Sequence, residues 1–185
     1  MRYILFYKPY AVLTQFSPDP GKLTLKDFLS LPKDIYPVGR LDFDSEGLLL
    51  LTNDNELKSR LIDPKHGIPK TYLAQVEGIP DEKALKNLRK GVVIEGKLTK
   101  PAEAELLSNE PELPPRSTPI RYRKNIPTSW IILEIREGRN RQVRKMTAAV
   151  GHPTLRLVRI KIGSIGIGEL HPGESKEIQA EHIFQ

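Results

Sequence analysis

Three carboxylates stand at alternate positions in the stretch GRLDFDSEGLLLLTND, residues 39–54: Asp42, Asp44 and Glu46. A carboxylate held ionised on a rigid frame can act as a nucleophile or take up a proton. The flanking residues supply such a frame. An apolar approach at 36–38 precedes the acids, and four consecutive leucines, 48–51, follow them. Four are too few for an ordinary helix and fit a strand buried on both faces. If the chain is extended, alternation puts all three acids on one side, whereas Ser45 and Gly47 point to a turn that breaks the alternation. Spacing leaves open which acid acts. Taken alone, the same residues also fit a polar turn bonding its own backbone, or a metal-dependent nuclease cluster.

Charge indicates the partner. Residues 116–161 hold twelve Lys or Arg against Glu134 and Glu137, a net +10, so the remainder of a chain with formal charge +6 is −4. Most of the twelve are arginines, whose planar fork suits phosphate. A basic half on an otherwise acidic chain is the electrostatic footprint of a polyanion partner. With no cysteine, disulfides, thiolate metal sites and cysteine nucleophiles are excluded. His66, His152, His171 and His182 are too scattered to form a metal centre. The N-terminal apolar run is broken at Lys8 and Pro9, unlike a secretory signal, and no run reaches membrane-spanning length. A soluble cytoplasmic protein is expected, with no membrane or metal partner. Because no long apolar stripe is left on the surface, a monomer is expected.

Residues 2–7 read as a strand ended by Pro9, and Thr24 with Asp27 resembles a capping box for a short helix through Leu29. Asn53 and Glu56 are spaced as a second capping box, for a helix with Leu57, Leu61 and Ile62 on one face that stops at Pro64. Residues 70–77 alternate as a central strand. A helix follows from Pro80 to Gly91, with Asp81 and Glu82 in its first turn. After a short strand at 92–94, residues up to Pro127 read as a long loop, and loops of that length are usually functional. A strand over 129–136 leads to Arg139 and Asn140. A helix from Arg141 to Val150 and a strand over 154–162 complete the pattern. Strand pairs with few helices argue for an α+β fold. A chain of 185 residues forms one domain or two small lobes, about 1–66 and 67–185. The strand-to-helix junction at Arg139, Asn140 and Arg141 offers backbone donors and a helix dipole to a phosphate.

The stretch at 39–54 resembles the signature of the RsuA/RluB/E/F class of pseudouridine synthases. Two further blocks occur in the order of that class: KTYLAQVEG at 70–78, and EGRNRQVRKM at 137–146 followed by LRLVRIKIG at 155–163. The proline-rich segment at 114–130 is most similar to the RluE branch of that class, and no N-terminal S4-like RNA-binding module is expected. The resemblance implies a mixed, mostly antiparallel sheet flanked by a few helices and long loops. It implies isomerisation of uridine to pseudouridine in large-subunit (23S) ribosomal RNA, without a cofactor because the reaction needs neither redox nor external energy.

The resemblance also assigns residues. It makes Asp42 catalytic and pairs it with Arg144, since a guanidinium favours the charged form of a buried carboxylate by typically ~1–3 pKa units. Tyr72 would lie against the extruded base, Arg40 would fill the vacated space, and Leu157 or Ile160 would complete an apolar floor. Arg139, Asn140, Arg141, Lys145 and Arg159 are candidate RNA contacts. Arg121, Arg123 and Lys124, on the long loop, are candidates for choosing the site. A non-catalytic RNA-binding or ribosome assembly module would also explain the basic segment, but gives no reason for an acidic loop on a rigid frame.

Overall fold

The computed structural model describes residues 1–120 and 125–183. Its elements run β1 (Tyr3–Lys8), β2 (Val12–Leu13), β3 (Leu23–Thr24), β4 (Tyr36–Pro37), β5 (Glu46–Thr52), α1 (Asn55–Ile62), β6 (Lys70–Glu77), α2 (Glu82–Lys90), β7 (Val93–Ile94), β8 (Lys97–Leu98), β9 (Glu103–Leu106), β10 (Thr128–Ile135), α3 (Gln142–Ala149), β11 (Thr154–Ile162), β12 (Ile165–Gly166) and β13 (Ser175–Ile178). This is an α+β fold on a nine-stranded sheet, ordered β13-β1-β5-β11-β6-β10-β9, with β12 beside β11 and β4 beside β5. Every pairing in that sheet is antiparallel except β5 with β11. The parallel join sits at the middle of the sheet, and β13 returns from the end of the chain to β1.

The leucine run forms β5 and is buried on both faces, as its composition predicts. Leu49 and Leu51 pack with Ile4 and Phe6 of β1 against Leu25, Leu29 and Ile35. Leu48 and Leu50 turn the other way, toward Leu57 and Leu61 of α1. Burial of each leucine contributes roughly 2 kcal/mol, which keeps the strand that follows the acidic stretch from shifting. A third cluster joins Ala74 and Val76 of β6 and Leu133 of β10 to Leu85 and Leu88 of α2 and Met146 of α3.

Local chemistry adjusts several expected boundaries. Asp27 accepts from both the backbone and the hydroxyl of Thr24 at 2.7 and 3.0 Å, yet the element it caps is a single 3₁₀ turn, Leu25–Asp27. The N-cap of α1 is Asp54, accepting from Leu57 N at 2.9 Å, whereas Asn53 donates to Asp34. The long segment before Pro127 contains two strands the pattern does not show, β8 and β9. β9 reads EAEL, an edge strand whose exposed glutamates hide its apolar side. No helix among the described residues is long and apolar enough to cross a membrane.

Candidate active site

Asp42 opens a tight turn just before β5, closed by Ser45 N donating to Asp42 O at 3.0 Å. Neighbouring chain pins this turn in place. The buried Thr14 hydroxyl donates to Leu41 O at 2.7 Å and accepts from Leu41 N at 3.2 Å, while Ala11 N donates to Phe43 O at 2.9 Å. The turn breaks the alternation, so the three acids meet different partners. Glu46 is buried and takes both Nε and Nη2 of Arg156, at 3.0 and 2.8 Å. Asp44 takes both terminal nitrogens of Arg141 at 2.8 Å. Only Asp42 is left with a looser contact, 3.8 Å from Arg141, with its side chain 34% exposed.

The expected Asp42–Arg144 pair is therefore corrected. Arg144 donates from Nη2 to Asp44 O at 2.7 Å and from Nη1 to Thr154 O at 3.2 Å, and its Nε lies 3.4 Å from Asp44 Oδ2. Arg141 is the left-handed N-cap of α3 and Arg144 lies in the first turn of that helix, and both reach the turn. The outer one, Arg141, bridges to Asp42. Burial alone would push Asp44 up, but the Arg141 hydrogen bond and the charges of Arg144 and Arg141 outweigh it, leaving Asp44 below the usual carboxylate range. Burial draws Arg144 down, countered by Asp44 and Asp42.

Asp42 faces a cavity of about 400 Å³ lying between the α1 and α2–α3 clusters. Sheet register explains its floor. Tyr72 pairs with Arg159, Ala74 with Leu157 and Lys70 with Ile162, so these β6 and β11 residues share one face. Tyr72, Leu157, Arg159, Lys70 and Ile162 line the cavity. Ile160 does not, because it alternates to the face opposite Leu157 and Arg159, and the register shift between Arg159 and Lys161 brings Ile162 rather than Lys161 to the cavity side. Ile162 takes the place expected of Ile160. Gly47 makes the parallel join possible. A Cβ there would stand 2.3 Å from Arg159 O, and Gly47 has φ +104°. This close approach delivers Arg159, whose Nε donates to Leu48 O at 2.8 Å.

Arg40, Arg139, Asn140 and Arg141 line the mouth. Several expected RNA contacts also hold structure. Arg139 donates to Lys97 O and Leu98 O, at 3.2 and 2.6 Å, fastening the β7–β8 hairpin. Lys145 donates to Glu95 and Asn140 at 2.6 and 3.2 Å. Arg121, Arg123 and Lys124 lie outside the described residues. Sequence reasoning missed Thr14, Ser45 and Lys70, and also Gln142, which accepts from Arg139 N at 2.9 Å and donates to Glu137 at 2.6 Å. Thr14 and Lys70 act across the fold, which no spacing marks, whereas Ser45 and Gln142 bond neighbours within five residues. Burial and the charge of Arg159 lower Lys70 from its ordinary value. Among the described residues no three His, Asp or Glu side chains are grouped to hold a metal ion, and both Asp44 and Glu46 are committed to arginines.

Residues 2–149 match the family model described as RNA pseudouridylate synthase. The chain belongs to this family. It is 52% identical over 176 residues to "Ribosomal large subunit pseudouridine synthase E" of Vibrio parahaemolyticus, covering 95% of this chain and 73% of that one. A protein of the same name from Xanthomonas axonopodis pv. citri is 54% identical over 171 residues, covering 91% and 90%. Among solved structures, a "Crystal structure of pseudouridylate synthase" aligns with a TM-score of 0.82 at 29% identity, covering 98% of this chain and 72% of that one.

Proposed function

We propose that this chain isomerises a uridine to pseudouridine in large-subunit (23S) ribosomal RNA, with Asp42 as the reacting carboxylate. The observation that carries this reading is Asp42 itself. It is the one acid of its turn free of a close arginine pair, and it opens on a cavity floored by Tyr72 and Leu157. A uridine inside a helix cannot reach it, so the nucleotide is extruded, its base lying against Tyr72 and Arg40 filling the gap. Asp42 then attacks the ribose or removes a ribose proton, and the bond from ribose to the ring nitrogen breaks. The base turns and carbon 5 bonds to the ribose as Asp42 leaves the ribose or returns its proton; the proton on carbon 5 is lost and the freed ring nitrogen takes one up, so the product is an isomer. Arg141 and, through Asp44, Arg144 offset the negative charge of the turn, and Lys70 and Arg159 favour a nearby phosphate. The names of the relatives support the large-subunit substrate, and such a substrate supports work in the cytoplasm. This reading takes residues 1–185 as one catalytic domain that acts as a monomer and without a cofactor.

The test maps pseudouridines in ribosomal RNA from cells with and without this gene, complemented with wild type or Asp42→Asn. One large-subunit position loses pseudouridine in the deletion and is restored by wild type only, while purified Asp42→Asn still binds RNA and loses ~10³-fold or more in rate. Restoration by Asp42→Asn would instead fit an RNA-binding module.

A further inference from the structure

We propose that a second cavity, beyond the Asp44–Arg141 bridge, is a subsite for a nucleotide adjacent to the target uridine, whose base stacks on Tyr10 and Arg116. This rests on the RNA reading above. The cavity, about 370 Å³, is bordered by Tyr10, Arg116, Arg141 and Arg144, with Asp44 and Glu77 as its acids. Arg141 borders both cavities, so a phosphate linking two nucleosides would meet a guanidinium midway.

The platform is built. The Arg116 guanidinium carbon lies 4.2 Å from the centroid of the Tyr10 ring, a cation stacked over an aromatic face. Arg116 Nε donates to Thr118 O, which curls the loop around the guanidinium. The arm carrying it is anchored two residues earlier, where Arg156 Nη2 donates to Pro114 O at 2.8 Å. Arg156 is itself buried and paired with Glu46, at the start of the strand that follows the Asp42 turn. Tyr10 stands beside Ala11, whose N–H holds Phe43 O. Both halves of the platform are thus tied to the turn that carries Asp42. A planar guanidinium over a phenol ring presents the kind of π-face on which nucleobases of any sequence stack. With Asp44 engaged by two arginines, the cavity suits the phosphate of the same nucleotide.

The probe is a short RNA around the uridine located by the mapping above, with the base of each neighbour removed in turn to leave an abasic ribose. For wild type, one of the two neighbours matters. Its abasic form raises KM and Kd about tenfold and leaves kcat at saturation unchanged. Tyr10→Ala and Arg116→Ala each raise KM and Kd on intact RNA by a similar factor and then respond no further to that abasic replacement. The proposal is overturned if either variant binds intact RNA like wild type, or if variant and abasic losses multiply. Should Tyr10→Ala fail to fold, Arg116→Met decides the question. If wild type binds this RNA without converting it, the isomerase reading falls, and the affinities alone still decide the subsite.

Discussion

Asp42, Asp44 and Glu46 begin as three similar acids, and their neighbours give them three different tasks. Glu46 is locked to Arg156, Asp44 to Arg141 and Arg144, and Asp42 alone faces the cavity. Asp44→Asn should therefore act through Arg141. Losing the paired charges loosens the turn, and a misplaced reacting group can cost up to ~10²-fold. The expected result is a lower single-turnover rate with RNA affinity within a few-fold of wild type; an unchanged rate would remove Asp44 from the site. Lys8 is a second residue-scale test. It is fully buried, and burial lowers its pKa to about 7, against the raising charges of Glu46, Asp44 and Asp42. The unfolded chain keeps this proton to about 10.5. Between those values the unfolded state binds more protons, so this group makes stability rise with pH. Lys8→Met should therefore gain most in melting temperature over wild type at pH 7 and below, with the gain shrinking toward pH 10. A difference independent of pH would mean that Lys8 titrates normally.

At the scale of elements, the site depends on how close β11 comes to β5. Gly47 permits it, and the register shift in β11 then turns Ile162 rather than Lys161 toward the cavity. A methyl group at 47 would press on the Arg159 backbone from 2.3 Å, at a φ that an L side chain rarely adopts. Gly47→Ala should lower stability by more than ~3 kcal/mol, read by chemical denaturation. Loss of less than ~1 kcal/mol would show that the two strands can move apart. The parallel pairing could not be read from the strand patterns, since residues 53–153 lie between the end of β5 and the start of β11. β6 and β10, by contrast, each read as a strand in the sequence and pair over their full lengths.

Across the whole molecule, the basic half is less free than its charge implies. Arg156 and Arg159 are buried, Arg136 pairs with Glu134, and Arg139 and Arg144 hold carbonyls. Arg141 and Lys145 are engaged by Asp44 and Glu95. Seven of the twelve cations are thus engaged within the protein, and with about four phosphate contacts RNA affinity should fall about 10²-fold between roughly 50 and 200 mM salt. A filter-binding series checks this. A flat response would contradict electrostatic RNA docking, and a ~10⁴-fold fall would mean that the arginines leave their internal partners on binding.

By itself the sequence determined the α+β class, the buried leucine strand and the family blocks that contain Asp42, Tyr72 and Arg144, and it pointed to a turn at the acids. These depend on local periodicity, turn chemistry and motif, all of which are written in consecutive residues. Only the tertiary structure decided which arginine meets which acid, that Ile162 replaces Ile160 in the floor, and that Thr14 pins Leu41. Each of those contacts joins residues far apart in the chain, and its geometry is set by strand register and by the close approach at Gly47, which no spacing along the sequence encodes.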